Sequence, residues 1–184
     1  MKRLAAVGGL MVAVVGVAWA AAAYENADLK IRVEPPADFV KAENPGEDDE
    51  FIGKPLGVYL SPDAAETAGA FLIHHMNIPA GADYDTFKST WPDQLKQAFG
   101  DTYKLLEQKD VKVGDRVGFL MEFKAPGDGT KPDPNGNIPH HLRWIFLKDG
   151  DSKLIGLLYA SRDEAWSAFK AKFAASEKTL KALN

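Results

Sequence analysis

The chain has no cysteine. That excludes disulfides, zinc–thiolate and iron–sulfur centres, thiol catalysis and anchoring through a lipidated cysteine. It also has no basic run. Its 22 Lys and Arg stand against 26 Asp and Glu, for a formal charge of −4. Nucleic-acid backbones are bound by clustered Lys and Arg, so no nucleic acid is expected as a partner. Enzymatic signatures are missing too. There is no G-x-S-x-G elbow, no G-x-x-x-x-G-K phosphate loop, no G-x-G-x-x-G and no H-E-x-x-H. Nothing in the order of residues places a base beside a nucleophile, so no enzyme and no cofactor is expected. No internal repeat is present. What the chain does have is 46% hydrophobic residues, enough for a core and too many for wholesale disorder.

One long apolar run stands at the start. Met1-Lys2-Arg3 is a positive n-region, and Leu4 to Trp19 is apolar or Gly throughout. Ala18-Trp19-Ala20 and Ala21-Ala22-Ala23 both fit the small-x-small rule of a secretory signal peptide, with cleavage expected after Ala23 or, next, Ala20. The run is long enough to span a bilayer, but it is built from Ala, Val and Gly rather than Leu and Ile. Removing 23 of the 184 residues leaves 161, one domain over 24–184. Losing Lys2 and Arg3 with the leader takes the charge from −4 to −6. The expected address is a Gram-negative periplasm, with no stable membrane anchor after cleavage.

Leu29, Ile31 and Val33 alternate with charged residues, which predicts a half-buried strand ended by Pro35-Pro36. An acidic turn runs from Glu43 to Glu50, and short strands are expected at Phe51-Ile52 and Gly57 to Leu60. Ala70 to Ile78 is nearly continuously apolar and predicts a strand covered on both faces. Tyr84, Phe87, Trp91, Leu95 and Phe99 recur at helical spacing, with Asp83 to cap the start, Gly100 the end, and Pro92 predicting a kink or restart. Tyr103 to Glu107 and Val111 to Val113 read as strands, then a Gly114-Asp115 turn leads into an alternating strand from Val117 to Lys124. Ala125 to Pro139 is a Pro/Gly/Asp/Asn loop. Leu142–Leu147 and Leu154–Tyr159 are apolar runs joined by a hairpin over 148–153. The final helix is expected from a Ser161/Glu164 capping box through Trp166, Phe169, Phe173, Ser176, Leu180 and Leu183. Its Trp166, like Trp91 and Trp144, sits on an apolar stripe and reads as core. The order β-β-β-α-β-β-β-β-β-α, with several strands lacking a polar face, predicts an α+β fold: a mainly antiparallel sheet covered by helices on both faces.

All four histidines form adjacent pairs, His74-His75 and His140-His141. Imidazole is a common metal ligand, but neighbours on a strand point to opposite faces, so neither pair is bidentate alone. One His from each pair could meet across the sheet, with an acid from Glu47, Asp48, Asp49 and Glu50. Whether a metal binds stays open. In the long loop, Asp128, Asp133 and Asn135 supply oxygens, and Asp133-Pro134-Asn135-Gly136-Asn137 opens like a calcium loop. That template needs Gly sixth and Glu twelfth, where Ile138 and Trp144 stand instead.

Leu142–Ala160 (LRWIFLKDGDSKLIGLLYA) running into Ser161–Leu183 (SRDEAWSAFKAKFAASEKTLKAL), with Leu29–Phe39 (LKIRVEPPADF) as first strand and Pro turn, resembles the PsbP-like superfamily, which takes in PsbP and the DcrB-like periplasmic proteins. The resemblance implies a PsbP-like α/β/α sandwich and a mostly non-enzymatic, partner-binding habit. It carries over no site. The acidic turn and the loop over 125–139 depart from the pattern, and they are where a private function would sit. The expected function is a non-enzymatic periplasmic binding or interaction protein in envelope assembly or stress, its partner another envelope protein. The alternative is a small-ligand or metal carrier using the paired histidines. The oligomeric state is not legible.

Overall fold

Strands that are apolar at consecutive positions must bury both sets of side chains. The computed structural model, which describes residues 21–43, 53–62, 69–126 and 138–183, shows where each set goes. The elements are β1 (Tyr24–Asn26), β2 (Ile31–Val33), β3 (Val40–Lys41), β4 (Lys54–Leu60), β5 (Ala70–Asn77), α1 (Tyr84–Phe99), β6 (Lys104–Val113), β7 (Arg116–Pro126), β8 (Pro139–Asp149), β9 (Lys153–Arg162), α2 (Trp166–Thr179) and β10 (Lys181–Ala182). Seven strands form an antiparallel sheet in the order β3-β4-β5-β9-β8-β7-β6, and β1-β2-β10 form a small second sheet. The expected antiparallel α+β class with two helices is what the chain adopts.

Two hydrophobic clusters divide the strand residues by alternation. The first takes Leu72 and Met76 of β5, Phe119, Met121 and Phe123 of β7, and Leu142, Trp144 and Phe146 of β8, together with Phe87, Trp91 and Leu95 of α1. The second takes Phe71 and Ile73, Leu120, and Ile145 and Leu147 of the same strands, with Phe169 and Phe173 of α2 and Ile31 and Val33 of β2. Aromatic rings dominate both. Phe119 stacks on Phe146 at 4.7 Å in the first, and Phe71 on Tyr159 at 4.6 Å in the second.

α1 follows its sequence signals at both ends. The Asp83 carboxylate accepts from the Thr86 N–H at 2.8 Å, and Gly100, at φ 68°, closes the helix with its N–H on the Lys96 carbonyl. Pro92 does not interrupt it: α1 runs unbroken from Tyr84 to Phe99, so the helix does not restart there. A proline removes the donor to the carbonyl four residues back. Here that carbonyl, Lys88 O, accepts from the Gln108 side chain of β6 at 3.1 Å instead.

Three further expectations are corrected. The strand from Tyr103 and the Val111–Val113 stretch are one strand, β6 from Lys104, because the polar residues between them, Gln108, Lys109 and Asp110, pair regularly with Met121, Leu120 and Phe119 of β7; a bulge lies earlier, between Leu105 and Glu107. Ser161 is not a helix cap. It belongs to β9 and donates to the Arg162 carbonyl, and a 3-10 turn, Asp163–Ala165, leads into α2 with no side-chain cap. The last helix stops at Thr179. Leu180 is extended and Lys181–Ala182 pairs with β2, so Leu183 lies beyond the helix. Leu180 still reaches the second cluster. Phe51-Ile52, the leader as far as Ala20, most of the acidic turn and 127–137 lie outside the described residues.

Candidate functional site

Polar chemistry gathers where β7, β8 and the entry to α2 meet. Arg143 stands inside the otherwise apolar run Leu142–Leu147 of β8, on the sheet face of the second cluster. Its guanidinium donates to Glu122 at 2.7 Å and to both oxygens of Glu177 on α2, at 2.8 and 3.1 Å. Glu107 on β6 lies 3.3 Å away. Burial alone would depress the guanidinium's basicity, but the carboxylates of Glu177 and Glu122 overcome this and hold it above its ordinary value. One turn of the pleat away is His141. Its Nε2 faces Glu122 Oε1 at 2.8 Å and its Nδ1 faces Asp163 Oδ1 at 3.4 Å. The imidazole lies flat on the Trp166 indole, centroids 3.8 Å apart and planes 3° from parallel. Lys124 donates to Asp163 at 2.6 Å and, with His141, holds that carboxyl below the usual carboxylate range. Glu107 is likewise held low, first by Lys109 and then by Arg143.

The network joins β6, β7, β8, the 3-10 turn and α2, and its first effect is to pin the second helix to the sheet. Nothing in it resembles an activated nucleophile. Sequence reasoning missed it, although one signal was present: a lone arginine inside the run Leu142–Leu147.

The histidines do not come together. β9 separates β5 from β8, and His75 is level with Leu147 through Ile155, six positions along β8 from His141. At about 3.3 Å per residue that is about 20 Å along the strands. His74 is fully buried, and its Nε2 accepts from the Trp144 indole N–H at 2.8 Å. His75 Nε2 lies 3.0 Å from Asp149, whose other oxygen accepts from Arg116 at 2.9 Å; Arg116 also donates to the Leu29 carbonyl. His140 Nδ1 is 3.1 Å from the Ile138 carbonyl. Among the described residues no group of three or more His, Asp or Glu is arranged to hold a metal ion. Glu47, Asp48, Asp49, Glu50, Asp128, Asp133 and Asn135 lie outside the described residues. The hairpin that carries the last three is fixed at its base, where Pro126 pairs with Pro139.

The chain superposes on the cyanobacterial PsbP (CyanoP) of Synechocystis sp. PCC 6803 with a TM-score of 0.56 and 14% identity, over 95% of this chain and 99% of that one. The PsbP-like fold is thereby shown. LpqN of Mycobacterium tuberculosis, involved in cell envelope biogenesis, gives 0.61 at 11% identity, over 84% and 83% of the two chains. PA94 of Pseudomonas aeruginosa, a protein of unknown function, gives 0.49 at 14% identity, over 77% and 94%. No family model matches the sequence, and no curated protein matches it. At these identities the PsbP-like likeness establishes the fold alone. Among the described residues no helix is long and apolar enough to cross a membrane.

Proposed function

We propose that this chain is a non-enzymatic, extracytoplasmic interaction module: a DcrB-like periplasmic protein released by cleavage of its leader, with helices covering both faces of its sheet. One observation carries the reading. Consecutive residues of β5, β7 and β8 are buried in one cluster or the other, so the middle of the sheet is filled with side chains and binding surface is left to its edges and hairpins. A carrier would keep part of such a sheet open for its ligand. The four imidazoles are each engaged within the fold rather than facing a common space. The leader supports the address, and the PsbP-like fold supports the partner-binding habit.

The acidic turn over 43–50 and the hairpin loop over 125–139 are the surfaces that would contact an envelope partner. The test keeps the hairpin and removes the loop. Residues 126–139 are replaced by Asn-Gly, a two-residue turn closed by the Ala125–His140 pair, because neither Pro126 nor Pro139 has an N–H to close one. Crosslinking in intact cells should lose a specific adduct while the far-UV spectrum is unchanged. An adduct of the same mass and yield would remove the loop from the interface.

A further inference from the structure

The seven-stranded sheet ends in β6, whose outer edge no described strand pairs. It runs for ten residues, Lys104–Val113, with seven of them exposed, and Leu105 and Leu106 are among the few large apolar side chains left in water. A free edge of this length offers a row of backbone donors and acceptors to another extended segment. The side chains decide which segment fits. Paired antiparallel with a second copy over its full length, Glu107 of each chain faces Asp110 of the other. Slipped one residue one way, Lys104 faces Lys112 while Glu107 faces Lys109; slipped the other way, Lys109 faces itself. Like charges directly opposite are destabilising, so two of these three self-pairings are disfavoured and the third gains nothing from its charges.

The same lysines favour an acidic strand. Asp110 is paired with Lys88 of α1, and Glu107 with Arg143 as well as Lys109, so Lys109 can be shared with a second carboxylate. Lys104 and Lys112 have no carboxylate partner among the described residues. Lys109 is level with Leu120 and Lys112 with Val117, so the two lysines project to opposite faces of the sheet. A strand whose carboxylates are three residues apart projects them to opposite faces in the same way.

We propose that β6 is the docking edge for an extended acidic segment of a partner protein, carrying carboxylates at i and i+3 opposite Lys112 and Lys109 with a β-branched apolar residue opposite Val111. This rests on the interaction-module reading and names its partner's chemistry.

The probe is the capped peptide Thr-Glu-Val-Thr-Glu-Thr-Val-Thr, compared with the same peptide carrying Lys at both Glu positions. Amide hydrogen exchange is followed on the full processed chain. At saturating Glu peptide, alternate β6 amides should slow about tenfold, with β8 and β9 unchanged. The Lys peptide should have no effect on the natural chain and should protect the K109E/K112E variant instead. Both substituted side chains are largely exposed and Glu107 keeps Arg143 as a cation, so the variant should fold, which its far-UV spectrum checks. Unchanged β6 exchange at millimolar Glu peptide overturns the proposal, and so does equal protection by both peptides. If β6 is silent while the loop-dependent crosslink of the previous section persists, the interaction module stands and this edge is not its docking site.

Discussion

A β-carbon on Gly156 would stand 2.0 Å from His74 Nε2 and 2.2 Å from the neighbouring ring carbon. Those atoms are held from behind by the Trp144 indole and cannot retreat without breaking its hydrogen bond. Gly156→Ala is therefore expected to cost about 3 kcal/mol, overpacking combined with a lost buried bond. Urea unfolding measures it; a change under about 0.5 kcal/mol would contradict the account of His74 as a packed core histidine. Arg143→Ala leaves Glu122 and Glu177 half-buried beside each other without their cation, and should cost about 2 kcal/mol. Arg143→Lys should recover only part, since one ammonium cannot reproduce the bidentate grip on Glu177. Full recovery would mean that charge alone matters there. At this scale the sequence was legible for apolar stripes and caps, such as Asp83, Gly100, Phe87 and Phe173. It was not legible for pairings between distant residues. His141 meets Glu122 and Asp163 because register and a 3-10 turn bring them together, and neither is written in local spacing.

At the scale of elements, Pro92 and Gln108 form one unit. The proline removes a donor and the glutamine of the adjacent strand replaces it. Pro92→Ala should stabilise the chain by about 1 kcal/mol by restoring a helical hydrogen bond. Gln108→Ala should destabilise the natural chain by about 1 kcal/mol and have little effect once Pro92 is Ala. Additive effects in that cycle would show that Gln108 is not the replacement. The second helix teaches the converse. Its apolar spacing continues through Leu180 and Leu183, so periodicity alone extends the helix too far. Pairing of Lys181–Ala182 with β2 wins over one more helical turn because β2 offers an unsatisfied edge there. The continuity of β6 is invisible for a similar reason: Gln108, Lys109 and Asp110 are polar in a row and read as a loop, yet they pair regularly with β7.

For the whole molecule, burial sets a ceiling on pH stability. Tyr59 is pushed up to about 12 by burial, and the buried Tyr159 phenol is raised as well. An unfolded phenol ionises near pH 10. Between about 10 and 12 the unfolded chain holds fewer protons than the native one, so the phenols' contribution should be constant below pH 10 and fall steadily above it. Unfolding midpoints from pH 8 to 12 measure this; a flat profile to pH 12 would show that these phenols ionise without opening the core. At the acid end the sign reverses. Asp163 and Glu107 are held low by their cations, so their contribution is present above the ordinary carboxylate range and disappears as pH falls through the lowered values. The antiparallel α+β class was legible from the order of elements and from strands with no polar face. The small second sheet was not, since β1, β2 and β10 are each only two or three residues long.

The central claim is an extracytoplasmic module whose filled sheet leaves its edges and hairpins to bind partners. Native mass spectrometry of the chain, expressed with its own leader and recovered from the envelope fraction of a Gram-negative host, tests it most directly. The account predicts a processed chain beginning at Tyr24 or Ala21, carrying no stoichiometric small molecule or metal. An unprocessed chain in the cytoplasmic fraction, or a processed one bearing a defined extra mass per chain, would contradict it.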